Sequence, residues 1–168
     1  TLRNAYRGVL FESNRYSLAE RLFVQSNTYG VVNLNTIATT NRNIRFWRNA
    51  SGGMDVIGAR TTVVENATFV GNTGFSLRVQ SSVNNTFQNN IFYLTDTVSP
   101  AYAGDSNTVR AAFIDYNVYY FAQTSAIYGT YRDLRSWHLG EQHDYRSAIT
   151  NPLLVNVESG DFHLQSTA

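Results

Sequence analysis

Apolar and polar positions along the chain alternate only over short stretches, and Asn or Gly divides one stretch from the next. Thr61-Thr62-Val63-Val64, Ala67-Thr68-Phe69-Val70 and Phe75-Ser76-Leu77-Arg78-Val79 are examples. Runs this short, rich in β-branched and aromatic residues and bounded by turn formers, predict strands rather than helices. The stretches also recur. Phe23, Phe46, Phe69 and Phe92 are each 23 residues apart, and Asn43, Asn66 and Asn89 stand three residues before the last three of them. Asn4 with Asn27, and Gly8 with Gly30 and Gly53, return at 22 or 23 residues. One further apolar position is shared by Leu18, Val64 and Phe87, with Asn41 interrupting it. Several series in one phase mark a repeat architecture.

A period of 23 also fits a leucine-rich repeat, but leucine is sparse here. Each repeat instead holds about three short strands and three turns, so the chain climbs one sheet spacing, about 4.8 Å, per repeat. The expected fold is all-β, a right-handed parallel β-helix: a solenoid of about five coils with a C-terminal cap containing a short helix. Asn43, Asn66 and Asn89 are expected to stack as an amide ladder at an interior corner, and Phe23, Phe46, Phe69 and Phe92 to stack ring on ring in the strand that follows. These residues are read as structural, not as a binding site.

The coils are expected at 8–29, 30–52, 53–73 and 74–96, with a fifth after an insertion at 97–107 that contains Pro100 and Gly104. In the fifth, Tyr116 takes the Asn place and Tyr119 the Phe place. Residues 1–120 therefore read as coils and 121–168 as a cap of the same domain. Within the cap, Leu134, Trp137 and Leu139 predict a short helix over 131–139 that stops at Gly140. Two short strands around Ser159-Gly160 are expected to lie over the last coil. A solenoid end without a cap exposes apolar faces, so N-terminal coils of the same protein, missing from this sequence, are expected to cover the other end.

The 168 residues fit one domain. Apolar residues at 43% and charged residues at 15% argue against disorder. A net charge of +1 gives no global support for nucleic acid or an anionic membrane surface as partner. No apolar run is long enough to predict a membrane-inserted helix. The absence of Cys excludes disulfides, thiolate metal sites and cysteine nucleophiles. All 13 residues of the Lys and Arg class are Arg, and the chain has 18 Asn, which suits a fold with many left-handed turns.

The run Asp115-Tyr116-Asn117-Val118-Tyr119-Tyr120, the short helix with Trp137, Asn151-Pro152-Leu153-Leu154-Val155 and the closing Gly160-Asp161-Phe162-His163-Leu164 together resemble the C-terminal end of pectate-lyase-like β-helix proteins. With the coils, the resemblance covers nearly the whole chain. That superfamily includes polysaccharide lyases, uronan epimerases, glycoside hydrolases and non-catalytic surface proteins. The resemblance implies a secreted or cell-surface protein, bacterial in origin, with a polysaccharide as partner. It also implies that the polysaccharide lies along the first sheet, the one opening after the turn Gly.

On that sheet, alternation places Val9, Phe11, Met54, Val56, Phe75, Leu77 and Val79 inward, and Glu12, Asp55, Ser76, Arg78 and Gln80 outward. Asn33 and Asn35 join the outward set if Val32 and Leu34 point in, a register open by one residue. A lyase must neutralise a uronate carboxylate and remove the neighbouring proton. Arg78 offers a bidentate fork, and Asp55 and Glu12 offer oxygens to calcium, the one cofactor the resemblance suggests. Arg78 and Asp55 are therefore the candidate catalytic residues, and Glu12, Asn33, Asn35, Ser76 and Gln80 candidate substrate contacts. A hydrolase would need clustered carboxylates, which the stripe lacks.

Arg45 and Trp47 flank inward Phe46 and form a second candidate glycan contact. His138 and His143 near Glu141 and Asp144 match no strong metal motif. The Asn-x-Ser/Thr sequons at Asn49, Asn66 and Asn84 read as by-products of Asn abundance. The expected function is to act on or bind an acidic polysaccharide, by β-elimination or epimerisation if catalytic. The alternative is a non-catalytic glycan-binding or structural surface solenoid.

Overall fold

A computed structural model describes residues 1–165. It is a parallel β-helix whose coils contribute strands to three sheets. The first sheet joins Arg7–Glu12, Tyr29–Leu34, Gly52–Ile57, Leu77–Gln80 and Tyr102–Gly104. The second joins Leu18–Glu20, Thr40–Arg42, Val63–Glu65, Thr86–Gln88 and Phe113–Asp115. The third runs from Leu2–Arg3 through Phe23–Gln25, Arg45–Trp47, Thr68–Val70, Ile91–Leu94 and Val118–Phe121 to Ala148–Ile149. All pairings within these sheets are parallel, so each coil donates backbone hydrogen bonds to the next.

The aromatic series stands as expected from its second member onward. Phe46 and Phe69 stack at 4.5 Å, Phe69 and Phe92 at 5.0 Å, and Phe92 and Tyr119 at 5.3 Å. Each pair adds about 1 kcal/mol beyond burial. Phe23 does not belong to it. The first coil is one residue short, so Val24 pairs with Phe46 and takes the interior place, while Phe23 lies outside. The same offset puts Ala19 rather than Leu18 in line with Asn41, Val64 and Phe87.

The expected Asn ladder is corrected. Asn43, Asn66 and Asn89 are exposed, with φ of 56°, 52° and 56°, and Tyr116 at 61° continues the row. They supply the left-handed turn between the second and third sheets, which Asn tolerates better than most residues. The buried ladder is Asn27, Asn49 and Asn72 at the corner between the third sheet and the first. Asn49 Nδ2 donates to Asn72 Oδ1 at 2.8 Å, and Asn27 Nδ2 donates to Asn49 Oδ1 at 3.3 Å. Each amide also donates to a strand carbonyl: Leu2, Val24 and Phe46 in turn. Of the sequon asparagines, Asn49 is therefore interior, while Asn66 and Asn84 are exposed turn residues.

The fifth coil begins inside the expected insertion, because Tyr102–Gly104 pairs with Leu77–Val79. The departure from the coil is instead the helix α1, Ser106–Arg110, capped by Asp105. A second helix, α2, spans Leu134–Glu141, and Asp133 caps it by accepting from the Ser136 N–H. It drives Trp137 into the core against Tyr102, Tyr128 and Tyr131. Buried Asp144 fastens this cap. It accepts from Trp137 Nε1 at 2.6 Å, Tyr119 Oη at 2.7 Å and Asn117 Nδ2 at 3.0 Å.

The last two strands, Leu154–Asn156 and Asp161–Leu164, form an antiparallel hairpin. They do not cover the last coil. They lie on the outside of the third sheet, where Leu154 and Phe162 pack on Phe23, Trp47, Val70 and Tyr93.

Candidate functional site

The outer face of the first sheet is built by register. Leu10, Val32, Asp55, Arg78 and Ala103 form one row across five coils. Glu12, Leu34, Ile57 and Gln80 form the next. Asp55 and Arg78 are thus direct neighbours, as their one-coil spacing requires. Arg78 Nε donates to Asp55 Oδ1 at 2.9 Å, and Nη2 donates to Oδ2. Asp55 is 3% exposed under this fork. The guanidinium also lies over the Phe75 ring, 4.6 Å from its centroid.

The pairing decides the chemistry of the face. The hydrogen bond that Arg78 donates to Asp55 raises the Arg78 pKa above its ordinary value, against the opposing effect of burial. A guanidinium held this way does not release a proton to become a base. Both Asp55 oxygens accept from Arg78, so the carboxylate is already engaged. Among the described residues, no group of three or more His, Asp or Glu side chains converges as a metal site.

The other candidates separate. Glu12 is exposed and Gln80 half-buried on the same face, and Asn35 is exposed at its corner with φ 53°. Asn33 is corrected. It pairs with Phe11 and Val56, which puts it in the interior row, fully buried, while Val32 and Leu34 face out. Ser76 is corrected too. Register continues Ser76 opposite inward-pointing Gly53 and Phe75 opposite Gly52, so Ser76 is buried at 1% exposure and Phe75 lies on the outer side, over Gly52. A Cβ on Gly52 would lie 2.2 Å from the Phe75 ring, so only glycine fits there.

Arg45 and Trp47 lie on the third sheet, not on this face. Trp47 stacks on Phe23 at 5.9 Å and meets Phe162 edge-on at 6.0 Å, beneath the hairpin. Arg48 lies over its ring and pairs with Glu158.

Two aromatic contributors to the first face escaped the alternation rule. Tyr6 is 63% exposed and stands edge-on to half-buried Tyr29, with centroids 5.6 Å apart. Tyr29 in turn approaches Phe75 at 6.3 Å. The signal was present as aromatics at 6, 29 and 75, but two of the three precede the regular alternation of their strands.

A cavity of about 650 Å³ opens at the C-terminal end of the solenoid, between Phe113–Asp115 and the chain leaving α2. Arg110 donates to Glu141 at 2.7 and 3.1 Å, and this bond lowers the Glu141 pKa. His143 lies against the Val109 carbonyl at 3.0 Å, and burial pushes its pKa down. His138 instead packs on Tyr145 at 4.0 Å. These groups do not meet around one point.

No family model, curated protein or solved structure matches the chain.

Proposed function

We propose that the chain is a non-catalytic glycan-binding solenoid module. On this reading it holds an acidic polysaccharide along the outer face of the first sheet without cleaving it. The pectate-lyase-like resemblance supports the direction of binding, and a secreted or cell-surface location fits the same reading. The observation that carries it is the Asp55–Arg78 fork on the same face as the exposed Tyr6 ring and the half-buried Tyr29 ring. Aromatic rings offer flat apolar area to the C–H face of a sugar. Arg78 spends Nε and Nη2 on Asp55 and keeps Nη1 for a ligand carboxylate. Elimination needs an acceptor for the proton, and on this face the arginine is held protonated while its carboxylate partner is occupied.

Calorimetric titration with uronic-acid polysaccharides, with calcium and with chelator, tests the reading. Binding by the wild type that weakens about tenfold in Tyr6→Ala is the expected result. Equal binding by both, or none by either, rejects it.

A further inference from the structure

The interior of the solenoid is not uniformly apolar. The corner joining the first sheet to the second carries a set of fully buried polar side chains without partners. In the second coil, both amide atoms of Asn33, both of Asn41, and the hydroxyls of Thr36 and Thr39 make no hydrogen bond. All four residues are 1% exposed or less. The set continues along the axis. Strand register aligns Thr40, Val63 and Thr86, so the residues preceding them, Thr39, Thr62 and Asn85, form one column. Each member of that column has an unpartnered atom: Thr39 Oγ1, Thr62 Oγ1 and Asn85 Nδ2.

Leaving a buried amide or hydroxyl without a partner costs about 1–3 kcal/mol. Eight such atoms together exceed the total stability of many domains. The neighbouring coils offer small side chains beside them. Ala19 precedes Asn41 in its row, and Ala59 precedes Arg60, which bridges to Ile37 next to Thr36. The donor set also defines the occupant. Two amides supply both donors and acceptors, hydroxyls act as either, and no carboxylate or arginine is among them. A cation would need acceptors alone, and an anion donors alone; water needs both.

We propose that this corner is an internal water-binding site. A file of ordered waters runs along the solenoid axis from Asn33 and Asn41 past Thr39 and Thr62 to Asn85. Buried water of this kind makes about three hydrogen bonds and forms part of the fold. The contrast with the Asn27–Asn49–Asn72 ladder is direct, since that ladder satisfies itself coil to coil.

Magnetic relaxation dispersion of water oxygen on the wild-type protein tests the site without any substitution. The expected result is a pool of long-lived internal waters, several per molecule, that shrinks in the Asn33→Leu/Asn41→Leu variant. The variant should also melt about 3 °C or more lower, because the remaining waters and hydroxyls lose partners. No long-lived water in the wild type overturns the proposal. So does a variant that keeps the full pool, or one that melts higher than the wild type, as simple removal of unsatisfied groups would give.

Discussion

The outer faces of the first and third sheets begin from the same strand geometry and end differently. On the third sheet, the outward residues Phe23, Trp47, Val70 and Tyr93 form an apolar strip, and the C-terminal hairpin covers it with Leu154 and Phe162. On the first sheet, Tyr6, Tyr29, Arg78 and Gln80 stay at least partly open, and no segment of the described chain lies across them. One face uses its aromatics for packing. The other keeps an arginine fork and two tyrosines at the surface. The presence of an aromatic beside an arginine therefore does not mark a ligand site; the cover decides, and over Phe23 and Trp47 it comes from a segment more than 100 residues away in sequence.

Four changes probe that difference. The largest effect is expected from Phe162→Ala. Removing this buried ring should cost about 3 kcal/mol in urea unfolding. It should also red-shift the fluorescence of Trp47 while Trp137 stays buried on the inner side of α2. Asp55→Ala should cost about 2 kcal/mol, because the half-buried Arg78 loses its charged partner. Thermal unfolding should also show the variant less salt-sensitive than the wild type.

A smaller effect belongs to pH. Burial lowers the His143 pKa below its ordinary 6.5, so the folded state favours the neutral ring. Stability should be full above the ordinary histidine range and fall as acid protonates the unfolded chain first. Glu141, lowered by Arg110, acts in the same direction at more acidic pH. Denaturation at stepped pH should show the first decline, and His143→Gln should remove it. The smallest stability change is expected for Tyr6→Ala, within about 0.5 kcal/mol, since that ring is mostly exposed. If the first face binds glycan, the same variant shows its effect in affinity instead.

The periodicity carried the architecture because a parallel coil repeats its interior at a fixed step. Phe46, Phe69, Phe92 and Tyr119 were legible for that reason. Phe23 was not, because a first coil shorter by one residue moves the interior place of the third sheet from Phe23 to Val24. The Asn series shows a different limit. An asparagine that returns once per coil can serve a left-handed turn or a buried ladder, and both produce the same period. Asn43, Asn66 and Asn89 do the first, and Asn27, Asn49 and Asn72 the second.

At the candidate site, Asp55 and Arg78 followed from register alone. Ser76 and Phe75 exchanged sides because each coil turns two successive residues inward here, Gly30-Val31, Gly53-Met54 and Ser76-Leu77, which simple alternation does not allow. The two strands of the hairpin were legible around Ser159-Gly160, but their seat over Trp47 has no local signal, because its partners are distant and its contacts are hydrophobic and non-directional.

The central claim is that the first face holds an acidic glycan but does not cleave it. The most direct measurement follows ultraviolet absorbance of unsaturated uronate products alongside binding, for wild type and Arg78→Ala on the same polysaccharides. The account predicts binding by the wild type, weaker binding by Arg78→Ala, and no absorbance rise from either. A rise with the wild type that disappears in Arg78→Ala would contradict it and make this face a lyase site.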